Sequence, residues 1–549
     1  MTIQKSTILL FTAVLAACDA GDQIEDVINT PAVQNALLAI NSTPATVPIN
    51  GQNNGQNNGQ NNGQNPPPDP RPGGADNRGN PQQNNNLDQQ LQLLLNDQNI
   101  TGDPTTGLAL PSIDDPLSQL GMKLFYSRGL GGEMDTACVS CHHPSLGGAD
   151  RLSLGVGVEA LETDLLGPGR LNISGTFPIP RNAPTTFNSG LYRSSLFWDS
   201  RVAQLDSGIR TPDVAFGTAD TQAGDSLLAA QARFPVTSAE EMRTHRFESN
   251  GSNATVRNHL AARIGGYDGG FNAQTELDIN DWEVEFQTAF GSSEPAETLV
   301  SYNNIAKAIS AYESSQTFIA NPWKSYIDGN ASAISNNAKR GAILFFTAKE
   351  NGGGDCSRCH QGDLFSDEKH HVVAFPQIGP GKGDGENGDD DFGLARETGN
   401  QFDRYKFRTP SLLNIAITAP YGHSGAYQSL RQVVSHYNRP RNALGFFDNN
   451  NWCRIITAQD NPQNCDALFP NARSNTALAQ AALDTVPRND SINGIDLNNN
   501  EIDQIVEFLQ TLTDPCTQNR ECLAPWIPAA GGGPDGLRLN AVDQNGEPL

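Results

Sequence analysis

The stretch CVSCH at residues 138–142 has a second copy, CSRCH, at residues 356–360. In each copy two thiols stand three positions apart, so that both can reach the vinyl groups of one porphyrin. The histidine that follows lies where it can bind the iron. The two stretches therefore predict two covalently attached c-type hemes. The predicted attachment residues are Cys138, Cys141 and His142 at the first site, and Cys356, Cys359 and His360 at the second.

Other uses of paired cysteines compete with this interpretation. Two Cys-x-x-Cys pairs could bind a zinc ion with four ligands, act as redox-active dithiols, or form structural disulfides. None of these uses accounts for a histidine directly after the second cysteine in both copies. Two such motifs, about one domain apart, favour hemes.

The net charge of the chain limits the kinds of partner that it is expected to bind. The 549 residues carry a formal net charge of −25. This charge argues against a nucleic-acid partner, since nucleic-acid binding needs a basic surface that replaces counterions. An acidic surface instead suits a basic partner, such as a small cationic redox protein.

The first residues resemble an export signal. Lys5 precedes an apolar run from Ile8 to Ala17, which is short for a membrane span. The run ends in LAAC at residues 15–18, which is similar to a bacterial lipobox. We therefore expect residues 1–18 to be a lipoprotein signal peptide, with Cys18 as the lipidated residue. An ordinary cleaved signal is the alternative. Either way the protein would be exported, and with the lipid it would be anchored in the periplasm or on the cell surface.

Hydrophobic patterning predicts a mainly α-helical protein in two domains. Residues 19–105 include repeats of Gly-Gln-Asn-Asn from residue 51 and read as a low-complexity, disordered linker. We assign residues 106–300 and 301–528 to the two heme domains, and residues 529–549 to a disordered tail. The clearest helix carries an apolar stripe from Ile502 to Leu512, with Asn500 as the expected N-cap.

Four cysteines remain outside these motifs. They are Cys453, Cys465, Cys516 and Cys522. Two local disulfides, Cys453–Cys465 and Cys516–Cys522, are the simplest pairing, although the sequence leaves the connectivity open.

From about residue 117 to residue 512 the chain resembles the bacterial di-heme cytochrome c peroxidase family, which includes the MauG-like enzymes. The matching stretches are LGMKLFY at 120–126, RNAPT at 181–185, FWDSR at 197–201, KFRTPSL at 406–412 and APYGHSG at 419–425. The resemblance implies two cytochrome c-like domains, each with one heme, and a calcium ion between them.

The resemblance also assigns residues between the hemes. Trp198 matches the tryptophan that relays electrons from one heme to the other. The side chain of Asn182 and the carbonyl groups of Thr418 and Pro420 match the calcium ligands, and oxygen donors suit that cation. His423 matches a histidine beside a heme propionate.

Two departures from the family pattern bear on the mechanism. In classical members a histidine caps the N-terminal heme at rest; the matching stretch here is SLGVG at residues 153–157, with Val156 at that position. We therefore expect an open N-terminal heme. At the C-terminal heme, Tyr437 replaces the classical methionine ligand, as in MauG-like enzymes, and His436 is the rival ligand.

The family resemblance places an acid/base over the open heme at Glu241, with Glu240 as the alternative. Such a group moves a proton between the two peroxide oxygens while the bond between them breaks. The family's second distal group, a glutamine, falls on Gly208, so it is missing or supplied from elsewhere.

These residues predict an oxidoreductase that cleaves hydrogen peroxide. Its electrons would come from a small redox protein or, in the MauG-like alternative, from an oxidisable residue of a partner protein. A non-enzymatic electron-transfer cytochrome is the third possibility. It would need an unrecognised ligand, such as His143 or His245, on the N-terminal heme.

Overall fold

The computed structural model describes residues 81–175, 177–449, 465–487 and 492–549. The expected signal peptide, Cys18 and the linker up to residue 80 lie outside these ranges. The described residues fall within one compact unit. None of its helices is both long enough and apolar enough to cross a membrane.

The fold is mainly α-helical, as predicted, with two small sheets. The helices are α1 (Pro81–Asp97), α2 (Pro116–Tyr126), α3 (Leu227–Gln231), α4 (Asn253–Gly265), α5 (Trp282–Phe290), α6 (Ala296–Leu299), α7 (Tyr302–Ser315), α8 (Pro322–Ile327), α9 (Asn336–Phe346), α10 (Ala395–Thr398), α11 (Leu430–Asn438), α12 (Pro440–Asn449), α13 (Cys465–Leu468), α14 (Ala472–Thr485), α15 (Asn499–Gln510) and α16 (Arg520–Leu523). The strands are β1 (Ser195–Leu196), β2 (Val202–Leu205), β3 (Gly208–Arg210), β4 (His370–Val372) and β5 (Lys406–Arg408).

Both sheets are antiparallel and lie beside the predicted site. The strands β1, β2 and β3 pair in that order, with Leu196 opposite Val202. The strands β4 and β5 pair with His371 opposite Phe407. Trp198 therefore lies in the short turn between β1 and β2.

Helices α2 and α7 form the centre of the N-terminal lobe. A methyl group on Gly121 of α2 would lie only 1.9 Å from the carbonyl oxygen of Ala308, so the glycine allows the two backbones to touch. Phe125, Trp282 and Tyr312 are buried in the same core. Helix α7 therefore packs in the N-terminal core, although it follows the predicted domain boundary at residues 300 and 301.

The C-terminal lobe repeats the same contact. A methyl group on Gly341 of α9 would lie 1.9 Å from the carbonyl oxygen of Gln504 in α15. The sequences around the two glycines are also alike: LGMKLFY at 120–126 and RGAILFF at 340–346. Each lobe therefore places a glycine-bearing helix directly before its Cys-x-x-Cys-His motif.

Part of the predicted linker is folded. Leu91 and Leu95 of α1 are buried in the C-terminal core, and Asp88 forms an ion pair of 2.7 Å with Lys339. Asp363 accepts a hydrogen bond of 2.7 Å from the backbone N–H of Gly102. The prediction of disorder is therefore wrong for residues 81–105, because this polar helix has a narrow apolar face that the C-terminal lobe covers.

The predicted disordered tail is also ordered, which is a second correction. The indole N–H of Trp282 donates to Asp535 at 3.1 Å, and the backbone N–H of Arg128 donates to the carbonyl of Leu537 at 3.1 Å. Leu539 is buried in the N-terminal core. Residues 529–549 are polar and rich in glycine, and they are held mainly by hydrogen bonds to the first lobe.

Two details near the C-terminus can be compared with expectation. The predicted helix is present as α15. Its N-cap is Asn498 rather than the predicted Asn500, and the Asn498 side chain accepts a hydrogen bond of 3.1 Å from the backbone N–H of Glu501. Cys516 and Cys522 form the expected disulfide. Cys453 lies outside the described residues.

We predict that the substitution Leu91→Ala destabilises the C-terminal lobe by about 2–5 kcal/mol, as expected for a leucine truncated in a core. Urea unfolding followed by circular dichroism gives the free energy. Leu93→Ala, on the same helix but with Leu93 72% exposed, is the control and should be nearly neutral. Equal stability of the two variants would contradict the docking of α1.

Candidate functional site

Each motif forms a single 3-10 turn, Cys138–Ser140 or Cys356–Arg358, which begins at the first cysteine and is followed by the second cysteine as its C-cap. All four thiols are free of disulfides. Among the described residues they do not meet in one cluster of metal-binding side chains, as a shared zinc site would require. The four cysteines therefore form neither a shared zinc site nor disulfides, whereas two thiols on one turn fit thioether attachment to a porphyrin.

The two histidines of the motifs are oriented in the same way. Nδ1 of His142 lies 3.2 Å from the carbonyl oxygen of Gly148, and Nδ1 of His360 lies 3.0 Å from that of Phe365. A carbonyl can only accept, so Nδ1 carries the proton and Nε2 has the free lone pair. Burial lowers the pKa of both histidines, which favours the neutral, iron-binding form.

One continuous cavity connects the two motifs. Its wall includes Cys138, Cys141 and His142 from the first motif, and Cys359 and His360 from the second. The same wall contains the other predicted site residues, which are Trp198, Glu241, Tyr437, His423, Asn182, Thr418 and Pro420. Residues spread over 300 positions of sequence thus meet around one space, whose donors fit two hemes.

Trp198 is fixed between the lobes. Its indole N–H donates to the carbonyl of Asn182 at 3.1 Å, and its own carbonyl accepts from the N–H of Arg408 in β5 at 2.9 Å. The next residue, Asp199, is buried and bonded to Arg181 at 2.6 Å. Burial opposes ionisation of Asp199, but Arg181 and Arg201 hold its pKa below the usual value.

Glu241 lies on a π-helical turn, Ala239–Arg243, that is capped by Ser238. Among the described residues Glu241 lines the cavity and Glu240 does not; the carboxylate of Glu240 instead accepts from the Ser238 hydroxyl at 3.0 Å. Burial raises the pKa of Glu241, and the nearby cations Arg201 and Lys382 oppose that rise. A carboxyl group with these properties can exchange a proton with a ligand in the cavity.

The stretch at residues 153–157 packs on the Glu241 turn. A methyl group on Gly157 would lie 2.2 Å from the carbonyl oxygen of Glu241. Val156 is fully buried, and its carbonyl accepts from Nε of Arg170 at 2.8 Å. Arg170 also donates to the carbonyls of Gly157, Glu162, Thr163 and Leu165. One buried guanidinium therefore fixes the stretch in place.

The two histidines considered as unrecognised ligands lie elsewhere. His143 is buried, but its Nδ1 accepts from the backbone N–H of Ser145 at 3.1 Å. His245 is exposed. Within the described part of the chain, neither histidine lines the cavity.

The predicted calcium and propionate residues share the cavity wall. The amide of Asn182 donates to the carbonyl of Leu152 at 2.8 Å. Thr418 directly precedes Ala419 and Pro420, which are joined by a cis peptide bond. The ring of His423 stacks on Phe407 at 3.8 Å, while its Nε2 is buried and has no hydrogen-bond partner among the described residues. An orphaned ring nitrogen at the cavity fits a donor to a heme propionate.

Tyr437 and His436 are adjacent on α11 but differ in surroundings. Tyr437 lines the cavity, and burial raises its pKa. His436 is buried with both ring nitrogens engaged: Nε2 lies 2.7 Å from the carbonyl of Val373, and Nδ1 lies 2.8 Å from the hydroxyl of Tyr427. His436 therefore has no ring nitrogen left for iron in this arrangement.

Several residues at the site were not anticipated. Arg170, Asp391 and Lys382 act at or near the cavity, yet no local motif marks them. The paired helices before each motif could have been found, since residues 120–126 and 340–346 align as an internal repeat. In both lobes a phenylalanine of that repeat lies 6.5 Å from the motif histidine, namely Phe125 from His142 and Phe345 from His360.

Comparison with known proteins gives a consistent result. Residues 116–332 match a family model described as di-haem cytochrome c peroxidase. Cytochrome-c peroxidase IdrP1 of Pseudomonas sp. (strain SCT) is 27% identical over 342 residues, which are 58% of this chain and 71% of that protein. Methylamine utilization protein MauG of Methylorubrum extorquens is 27% identical over 321 residues, which are 58% of this chain and 67% of that protein.

Among solved structures, the diheme peroxidase BthA from Burkholderia thailandensis E264 aligns with a TM-score of 0.46 and 22% identity. The alignment covers 80% of this chain and 93% of BthA. A further relative, cytochrome c551 peroxidase of Pseudomonas aeruginosa, is 27% identical over 323 residues, 59% of this chain and 72% of that protein. With two Cys-x-x-Cys-His sites on one cavity, residues 116–332 match the di-haem cytochrome c peroxidase family, and the chain is similar to cytochrome c peroxidases and MauG, which are oxidoreductases with two c-type hemes.

Proposed function

We propose that this protein reduces hydrogen peroxide at an N-terminal heme that is open when fully oxidised, and that Trp198 connects this heme to the second one. The observation that carries the proposal is the cavity wall beside Glu241. There the stretch bearing Val156, in place of a capping histidine, is held by Arg170. Bound hemes would supply the redox chemistry, in which hydrogen peroxide takes up two electrons and two protons and gives two water molecules.

Glu241 is the proposed proton carrier. Its carboxyl group lines the cavity, and burial raises its pKa towards the range in which it can both accept and return a proton. It would take a proton from one peroxide oxygen and deliver it to the other, so that water leaves rather than hydroxide.

Trp198 and Tyr437 are the proposed electron-transfer residues. Trp198 lines the cavity that both hemes would share; its indole N–H donates to Asn182, and its backbone carbonyl accepts from Arg408 of the other lobe. Tyr437 would bind the second iron through its phenol oxygen. An anionic oxygen ligand favours the oxidised metal and lowers its potential relative to methionine, which suits a heme that stores an oxidising equivalent.

The source of the two electrons gives two candidates. In the peroxidase candidate a small redox protein supplies them, and the acidic chain suits a basic donor. In the MauG-like candidate, oxidisable residues of a partner protein supply them. Val156 and Tyr437 favour the second candidate, because an open heme and a low-potential heme allow the fully oxidised protein to react first.

Two further proposals come from the sequence. We propose that Cys18 is lipidated after export, so that the enzyme is anchored in the periplasm or on the cell surface. We also propose that Asn182, Thr418 and Pro420 hold a calcium ion through their oxygen atoms. The positions of these three residues in one cavity wall support a shared cation.

We predict that the fully oxidised protein, mixed with one equivalent of hydrogen peroxide in a stopped-flow spectrometer, changes the absorption of both hemes within milliseconds. An open heme needs no prior reduction, and Trp198 shares the oxidising equivalents. A protein that reacts only when half-reduced would contradict the open heme. Two six-coordinate, unreactive hemes would instead indicate an electron-transfer cytochrome.

We predict that Glu241→Gln slows this reaction about 10²–10⁴-fold, the usual contribution of a positioned acid/base. Both hemes should remain attached, because the amide has the shape of the acid. Glu240→Gln is the matched control, since Glu240 does not line the cavity and its carboxylate accepts from Ser238, and it should react at the wild-type rate. An unchanged rate for Glu241→Gln would exclude its proposed role.

We predict that Tyr437→Phe removes the charge-transfer and electron paramagnetic resonance signals of a tyrosine-ligated ferric heme and raises the potential of the second heme. Tyr427→Phe, which deletes a buried hydroxyl bonded to His436, is the control and should leave these signals in place. Signals that survive Tyr437→Phe would remove Tyr437 as the ligand.

A further inference from the structure

Lys382 reaches the Glu241 end of the cavity from the other lobe. It lies in a glycine-rich loop of the C-terminal lobe, and its backbone N–H donates to the carbonyl of Asp390 at 2.8 Å. A methyl group on Gly379 of this loop would lie 2.7 Å from Leu154. The loop therefore packs on the same stretch of the N-terminal lobe that contacts the Glu241 turn, and both Lys382 and Glu241 line the cavity.

Among the described residues of the cavity wall, the ammonium of Lys382 forms no ion pair or hydrogen bond, whereas the other lysines and arginines do. Those form the pairs Arg181–Asp199, Arg201–Asp199, Arg358–Asp355 and Lys406–Asp403, or, for Arg408, a hydrogen bond to the carbonyl of Phe197. Within the described ranges, the Lys382 ammonium has no hydrogen-bond or ion-pair partner, and neither has the Glu241 carboxyl.

Lys382 and Glu241 also form no ion pair with each other, although both face one cavity. Because the two opposite charges face one cavity without contact, a small ligand in that cavity can lie beside both. Burial lowers the pKa of Lys382, with Arg201 and Arg181 acting in the same direction and Glu241 against it. A cation held among other cations gains from an anion that enters the cavity.

The second polar group that the family resemblance assigns to this site is not supplied by the matching residue. Gly208, where the family resemblance places a glutamine, lies in β3 and is not among the described residues that line the cavity. Lys382 is the uncommitted polar side chain that the other lobe brings to the same end.

We propose that Lys382 is the second distal residue of the N-terminal heme site and that its ammonium binds the anionic form of the ligand there. The inference rests on the proposed function. Hydrogen peroxide gives one proton to the Glu241 carboxylate and becomes the hydroperoxide anion, which the ammonium holds by a charge-assisted hydrogen bond; no electron moves in this step. The peroxide site is then complete only when both lobes are assembled.

A heme propionate is the rival partner for this ammonium. In that case Lys382 would neutralise a fixed negative charge and would not contact the ligand. The two roles differ in what they control: a ligand-binding cation sets the affinity for small anions, whereas a propionate partner sets the reduction potential of the heme.

Fluoride binding to the fully oxidised holoenzyme separates these roles. We expect Lys382→Met to weaken fluoride binding, titrated by absorption, by roughly ten-fold or more, the typical effect of losing a charge-assisted hydrogen bond. Binding of neutral imidazole should change less than about three-fold on the same reasoning, because imidazole brings no negative charge. Lys382→Arg should restore fluoride binding, and Lys307→Met, on the exposed face of α7, should match the wild type.

Three results would overturn the inference. The first is that Lys382→Met changes neither the fluoride affinity nor the reduction potential. The second is that it leaves the fluoride affinity unchanged but shifts the reduction potential, which assigns Lys382 to a propionate. The third is an equal loss of fluoride and imidazole binding, which indicates a damaged cavity. A wild-type protein that binds neither ligand has a closed heme, and that result overturns the proposed function as well.

Discussion

The site depends on one buried guanidinium that holds two carboxylates from different parts of the chain. Arg181 donates to Asp199 at 2.6 Å and makes two bonds, of 2.6 and 2.8 Å, to Asp391 of the C-terminal lobe. Removing one partner of such a buried group costs about 3–5 kcal/mol, because a charge is left without compensation. The ion pairs add little net stability, but they tolerate only one arrangement of the lobes.

That arrangement determines what the cavity contains. Asp199 directly follows Trp198, so Arg181 fixes the position of the tryptophan between the lobes. Asp391 directly follows Asp390, whose carbonyl closes the loop of Lys382. The same guanidinium therefore positions Trp198, the proposed electron-transfer residue, and the loop that reaches Glu241. The proposed peroxide chemistry and electron transfer would share one structural support.

The sequence predicted those parts of the site whose chemistry is local. A thioether-linked heme needs two thiols and a histidine on one turn, so the two motifs could be recognised without a structure. The partner of Arg181 could not, because Asp391 lies 210 positions away and its loop resembles any acidic, glycine-rich loop. Lys382 escaped notice for the same reason.

The errors in the fold have a related cause. Composition measures how much apolar surface a segment offers, not which surface covers it. Helix α1 is polar on most faces, yet Leu91 and Leu95 are almost fully buried against the C-terminal lobe. Residues 529–549 contribute Leu539 to a core, with Leu537, Ala541 and Leu549 packed against it, and they are also held by hydrogen bonds such as that from Trp282 to Asp535. Only long-range packing distinguishes such segments from disordered ones.

The stretch around Val156 bears on the proposed resting state of the N-terminal heme. A capping histidine that leaves its iron needs a loop with two stable positions. Here Arg170 donates five hydrogen bonds to carbonyls around that stretch, two of them from Val156 and Gly157. Moving the stretch would leave buried carbonyls and a buried guanidinium unsatisfied, at about 1–3 kcal/mol for each lost partner. The cost favours a single position, so the absence of the histidine and the rigidity of its loop support the same proposal of a permanently open heme.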